Sequence, residues 1–366
     1  MKSSYVKKNS FYDFYNHQNV LPVTQNLENI DEFVFRRNYL YTTLGIPLGT
    51  LNNKKIIEFG PGGGFNAVAT AHFEPNLYTF VDASKKSLEQ LRFHNQNNFF
   101  KANNIRIEEC DIFDFTDKER YDLVIVEGVI PGQHKPRKLL RHVSSFTQNG
   151  GLLILTSTTA VSLLSEICRR VLRVRLLDGV SDFAAKARIT SEFFASHLEF
   201  LATSTRPPLD WAIDVILHDW HNDSYIFSLK DSIETINEEF QFYNSSPKFL
   251  TDDRWYKKVI PGSVDSNTLA LLQYHRLCST LIDHRYSINE MIIDVFPEEI
   301  EFLSIRACEI HNEIINQNNF NLLFDFLSVL QEIEVKLPDS FKLTKASIKD
   351  YRSDLKPIWQ MHNPLV

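Results

Sequence analysis

At 366 residues the chain has room for one large domain or two modest ones. Its 43% hydrophobic and 23% charged content is that of a globular protein, and a formal net charge of −7 argues against a nucleic-acid partner. No apolar run approaches the ~18 residues a membrane helix needs, so no membrane association is expected.

The stretch Met1–Asn9 is polar and basic with no apolar segment behind it, so no signal peptide is expected and the cytoplasm is the expected compartment. Cys110, Cys168, Cys278 and Cys308 lie too far apart for a zinc clip or a disulfide framework. Residues 1–29 are polar and aromatic, with Phe11, Tyr12, Phe14 and Tyr15 clustered. Ile30 to Leu44 shows helical spacing (Phe33, Arg37, Leu40, Tyr41, Leu44), and Gly45 and Pro47 stop it.

Lys55 to Phe59 reads as a short strand ending in an acid, Glu58, and a phenylalanine. Gly60, Gly62, Gly63 and Gly64 follow, four of the chain's 12 glycines within five residues. Glycine permits a tight strand-to-helix turn and lets a ligand approach the backbone. A helix from Phe65 to Phe73 would then offer free N–H groups. The next strand, Leu77 to Val81, ends in Asp82, placed to accept hydrogen bonds from a ribose diol.

Ser84 caps a predicted helix to about Asn95. Asn103 to Cys110 alternates as a third strand, followed by Asp111. Tyr121 to Val126 is nearly continuous and apolar, as a central parallel strand should be. Glu127 stands at its carboxyl end, and the loop Gly128 to Pro136 carries His134. A helix, Leu139 to Phe146, and a strand, Leu152 to Thr156, complete five parallel strands in about a hundred residues.

Ala160 to Leu177 reads as a helix whose Arg169, Arg170, Arg173 and Arg175 form a solvated or partner-facing side. Ile189 to Ala202 reads as another. Pro208 opens a helix from Leu209 to about His218, with Asp210 and Asp214 on one face and Trp211 beside them. This segment is expected to wall an acceptor pocket. His218, Asp219 and His221 match no established ligand spacing, so no metal is expected. Ser224 to Leu229 and Phe240 to Tyr243 read as strands six and seven. Ser245 to Lys258, with Arg254, Trp255 and Tyr256, is a polar and aromatic return. The remainder reads as helices at 268–279, 288–295, 300–316, 321–334 and 347–355.

The pattern E-x-G-x-G-x-G from Glu58, with Phe65 where a dinucleotide-binding loop would place a small residue, resembles motif I of the class I S-adenosylmethionine (SAM)-dependent methyltransferases. Y-D-L-V-I-V-E, ending in Glu127, resembles their motif IV. The resemblance spans roughly Leu51 to Ser157. It implies that Glu58, Gly60, Pro61, Gly62 and Gly64 cradle the methionine part of SAM. It places Asp82 and Ala83 on the ribose, and Asp111 on the adenine amine with Ile112 and Phe113 flanking the ring (Asp114 is the fallback acid). Glu127 would touch the cofactor where donor and acceptor meet.

The fold this implies is α/β: a Rossmann-like seven-stranded methyltransferase sheet with an inserted helical cap and an α-helical C-terminal subdomain. The expected boundaries are 1–50 for a helical lid, 51–262 for the methyltransferase domain with the cap at 158–222, and 263–366 for the helical subdomain. The expected reaction moves a methyl group from SAM to an oxygen or nitrogen of a small or medium polar acceptor, leaving S-adenosylhomocysteine (SAH). Glu127 and His134 are the candidate catalytic residues; Tyr12, Arg37, Trp211, His218 and Arg254 are the candidate acceptor-binding residues. Methylation of a protein or peptide side chain and SAM binding without catalysis are the alternatives. The motif IV position lacks an Asn-Pro-Pro-aromatic loop, and the chain has no Pro-Cys dipeptide, which further disfavours nucleic-acid methylation. The helical tail is expected to cap the site or to pair two copies of the chain.

Overall fold

The computed structural model describes all residues except 1–9, 22–23, 200–205, 219–225, 253, 261, 287–296, 318 and 361–366. The chain divides into two compact units. One contains Met1–Ser157 and Ser191–Lys248, the other Thr158–Thr190 and Phe249–Val366. The first stretch of the expected cap thus clusters with the C-terminal helices, and the second with the sheet.

The first unit is built on five parallel strands: β1 (Lys55–Phe59), β2 (Leu77–Asp82), β3 (Ile105–Glu109), β4 (Tyr121–Val126) and β5 (Thr147–Leu155). Their order is β3-β2-β1-β4-β5. Side chains alternate across a strand, and here both faces are buried. Ile56, Tyr78, Phe80, Leu123 and Ile125 join one core with α2 (Ile30–Thr43), α3 (Phe65–Ala71) and α4 (Lys85–Gln96). Ile57, Phe59, Val81, Val124 and Val126 join the other with α5 (Pro136–Ser144). That double burial is why β4 reads as an almost unbroken apolar run. The order reverses between β1 and β4, and in open sheets of this kind ligands bind at the carboxyl ends of the strands there.

The expected sixth and seventh strands are not formed among the described residues. Ser224 and Tyr225 lie outside them. Ser228 instead caps α10 (Leu229–Ile236) in a reciprocal box with Asp231, and 240–243 is irregular. The apolar run Ile226–Phe227 suggested a strand, but the Ser-x-x-Asp signature behind it governs the backbone. α1 (Ser10–Gln18) precedes α2. Between them in the chain and α10 lie α6 (Ala160–Leu176), α7 (Phe183–Phe193), α8 (Ala195–Glu199) and α9 (Pro208–Trp211). The helix expected from Leu209 to His218 continues α9 as a π-helix, Ala212–Leu217.

The second unit is helical, with α6 packed on α12 (Pro297–Gln317) and α12 on α13 (Leu323–Lys336). α11 (Ser266–Leu277) and α14 (Lys342–Gln360) complete it; the helix expected at 288–295 lies outside the described residues. Arg170 and Arg173 of α6 are buried, so this face is not the solvated one that the arginine run suggested. On the same helix Leu163, Leu164, Ile167 and Val171 are buried too; Ile167 stands three residues before Arg170, and the arginine stems are drawn in with this apolar face. Among the described residues no helix is long and apolar enough to cross a membrane.

Candidate functional site

The loop between β1 and α3 has the conformation its glycines allow. Gly60, Gly62 and Gly64 have φ of +65°, +56° and +74°, a region side chains avoid. Space is equally short: a Cβ on Gly60 would stand 2.6 Å from Val129 Cγ2, and one on Gly64 would overlap Leu91 of α4. The Gly60 N–H donates to the Val81 carbonyl at 2.9 Å, tying the loop to the end of β2.

Asp82 ends that strand. Its Oδ2 accepts from the Gly62 N–H at 3.2 Å and its Oδ1 from the Ser84 N–H at 2.8 Å. Burial pushes its pKa up to about 6, against the pull of those backbone N–H groups. A carboxylate has about four acceptor positions, so this one keeps capacity for hydroxyls. Asp111 follows β3. Its Oδ1 accepts from the Phe113 N–H at 2.8 Å and caps a 3₁₀ turn, Ile112–Asp114. Ile112 Cδ1 comes within 3.8 Å of where a Gly60 Cβ would sit, an apolar flank for the loop. Asp114, the fallback acid, is exposed.

At the ends of β1 and β4 lies a polar cluster. Glu58 is 4% exposed and accepts from the Tyr78 hydroxyl. Burial, then the nearby Glu127, pushes its pKa up to about 7, with the Tyr78 hydrogen bond and Arg37 opposing. Arg37 of α2 grips Glu127 with both terminal nitrogens, at 2.6 and 3.2 Å, in a pair whose side chains are 14% and 21% exposed. Burial works against the guanidinium charge, but Glu127 outweighs it and raises the Arg37 pKa. Tyr41 lies under Arg37, 5.9 Å from ring centroid to guanidinium, and its hydroxyl pairs with Thr70 at 2.6 Å. Arg37 Nε and Asn38 Oδ1 are buried without a hydrogen bond. The glycine cradle, the partly used Asp82 carboxylate and these two polar atoms together fit a ligand that carries a diol, an amine and a carboxylate.

Residues 51–206 match a family model described as a methyltransferase domain. Over 321 residues the chain is 23% identical to an uncharacterised protein, RP789, of Rickettsia prowazekii (strain Madrid E), covering 81% of this chain. The chain spans about half the length, 55%, of that curated relative. Among solved structures it is similar to PKMT2 from Rickettsia typhi at 17% identity, covering 57% of this chain and 42% of that one, with a TM-score of 0.40. It is similar to magnesium protoporphyrin IX methyltransferase (ChlM) from Synechocystis PCC 6803, crystallised with SAH, at 16% identity. There the coverage is 43% and 76%, with a TM-score of 0.33.

The remaining candidates fall differently. Trp211 is buried against Phe194, ring centroids 5.8 Å apart. His218 is buried and stacks on Phe14 at 4.4 Å. Both pack against aromatic neighbours at the two ends of the π-helix, whose Ala212, Ile213, Ile216 and Leu217 are buried. Asp219 and His221 lie outside the described residues, as does the side chain of Tyr12. Asp214 accepts from Tyr15 and Arg206, and Asp210 from Thr24. The two acids therefore hold the N-terminal segment. Lys86 of α4 reaches the Asn19 carbonyl of the same segment. His134 is exposed on the loop after β4. Arg254 belongs to the second unit, where Asp252, two residues before it, takes its guanidinium at 2.7 and 2.8 Å.

Sequence reasoning missed Tyr78 and Thr70. Each sits inside an apolar pattern, and only the period-two alternation of β2 hinted that Tyr78 shares a face with Glu58.

Proposed function

We propose that the chain transfers a methyl group from SAM to a nitrogen or oxygen of a small or medium polar acceptor, releasing SAH. The observation that carries this is the meeting of the glycine loop and Asp82 at the carboxyl ends of β1 and β2, beside the end of β4, where Glu127 stands. Bound there, SAM supplies a methyl group already activated on a sulfonium. The protein's tasks are then alignment and the exclusion of water.

Asp82 would hold the ribose diol, and Asp111 with Ile112 the adenine. Gly60, Pro61, Gly62 and Gly64 would accommodate the methionine end, with Glu58 beside them, and Ala83 would stand with Asp82 at the ribose. Arg37, on α2, closes the polar cluster from the N-terminal side. Both Glu127 oxygens are engaged by Arg37, so Glu127 is poorly placed to take a proton from a hydroxyl. A neutral amine asks less of a base than a hydroxyl does, which favours nitrogen as the accepting atom. His134 is the base on the same loop if the acceptor is a hydroxyl.

The net charge of −7 supports a small-molecule acceptor over a nucleic acid. The same proposal places the chain in the cytoplasm, with the C-terminal helices as the surface on which two copies would pair. Isothermal titration with SAH, SAM and NAD, alongside Asp82→Ala, tests it. Binding of SAH and SAM but not NAD, lost in the variant, is the expected result. Binding of NAD, or of none of the three, would overturn it.

A further inference from the structure

Phe65 departs from the small residue that a dinucleotide-binding loop carries, and its ring folds beneath the glycine loop. A Cβ on Gly63 would meet that ring at 2.9 Å and Gln90 Cγ at 3.2 Å. Gly63 does not share the left-handed φ of Gly60, Gly62 and Gly64, so here it is space, not conformation, that requires glycine. The Phe65 ring stands edge-on to His94 of α4, centroids 4.9 Å apart and planes at 88°. Phe99 and Phe100 flank the same imidazole at 5.3 and 5.8 Å. Gln90, Leu91 and His94, one face of α4, thus form a floor under Gly63 and Gly64.

His94 is 2% exposed in this aromatic shell. The Gln90 side-chain nitrogen lies 3.0 Å from His94 Nε2. An amide N–H can only donate, so Nε2 accepts and the ring hydrogen belongs on Nδ1. Nδ1 is buried and has no hydrogen bond of full geometry. Burial lowers the pKa of the imidazole, and the Gly63 backbone beside it opposes that shift. A buried N–H that lacks a partner is destabilising, so a neutral histidine in a phenylalanine cage needs a reason to be there.

We propose that His94 is a positioning residue for the cofactor: Gln90 holds it as the Nδ1–H tautomer, and that N–H braces the Gly63 carbonyl so that the glycine loop is set to receive the methionine end of SAM. It acts through Gly63 and touches no reacting atom. The inference rests on the reading that this loop holds SAM.

Titration calorimetry with SAH separates the two. If the wild-type chain does not bind SAH, the cofactor reading fails and takes this inference with it. If it binds, His94→Leu is expected to weaken SAH by about tenfold, the size of one hydrogen bond. His94→Asn, whose amide nitrogen can occupy the place of Nδ1, is expected to stay within about threefold of wild type, under half that free energy. Gln90→Leu keeps the ring but releases the tautomer and is expected to fall between them; it decides the matter if His94→Leu does not fold. The Gly63 amide resonance of the unliganded protein is expected to shift in both leucine variants and not in His94→Asn. Wild-type affinity in the folded leucine variants, or equal losses in His94→Asn and His94→Leu, would overturn the inference.

Discussion

Arg37 and Glu127 are joined by two hydrogen bonds, at 2.6 and 3.2 Å, across 90 residues of chain. The pair ties α2 to the carboxyl end of β4, the edge of the sheet's switch point. It makes α2 part of the site's wall rather than a loose appendage. With Tyr41 beneath it, Arg37 is the cation that faces both Glu127 and Glu58.

Removing Arg37 strands a part-buried carboxylate. Arg37→Ala is expected to lower the unfolding free energy by about 2 kcal/mol, between the values for exposed and buried pairs. Glu127→Ala should cost less in the Arg37→Ala background than in wild type. Urea unfolding of the two single variants and the double variant checks this, and additive losses would mean that the pair contributes nothing.

Asp82 titrates within reach of experiment. Its pKa of about 6 in the free protein means that the carboxylate is ionised above that pH and protonated below it. A protonated carboxyl accepts from a diol poorly, so SAH affinity should hold from pH 8 to about 6.5 and fall as pH drops through 6. The limiting slope is about tenfold per pH unit for a single group. Asp82→Asn should bind more weakly at pH 8 and show no such fall. Calorimetry from pH 5 to 8 reads both.

Glu58 has the opposite consequence for stability. Its folded pKa, about 7, exceeds its ordinary value, 4.5, so the folded state binds the proton more tightly. Stability from this group is present below pH 4.5 and is lost as pH rises through 7. The loss amounts to about 3 kcal/mol at most. Glu58→Gln, which still accepts from Tyr78, should therefore raise the melting temperature at pH 8 and change it little at pH 5. A stabilisation that is equal at both values would contradict the assignment.

Asp214 holds Tyr15 and Arg206 at once. Asp214→Ala leaves both without that partner and should loosen the segment between α1 and α2. Limited proteolysis is expected to cut between residues 19 and 29 at least several-fold faster in the variant, since opening a segment by ~1 kcal/mol raises its open population about fivefold. SAH at saturation should restore protection if the segment covers the cofactor.

Much of the sheet unit is legible in the sequence. A strand, a glycine turn and an acid at a strand tip are local events, set by backbone sterics and the two-residue period. β1, β2 and β4 form where the apolar runs put them, and Asp82 and Asp111 stand at strand ends. Ser224 to Leu229 misled because the apolar run Ile226–Phe227 outweighed the capping signature of Ser228 and Asp231. The arginines of α6 misled because their spacing reports a helix face but not what covers it.

The sequence by itself thus determined the βαβ frame, the glycine loop and the acids around it, since each depends on residues within a few positions of one another. Only the tertiary structure decided what those acids do. Tyr15 meets Asp214 from 199 residues away, and Arg37 meets Glu127 from 90. Tyr78 reaches Glu58 only because β2 lies in register beside β1. Such pairings follow from how packed elements bring distant side chains together, and no local pattern encodes that distance.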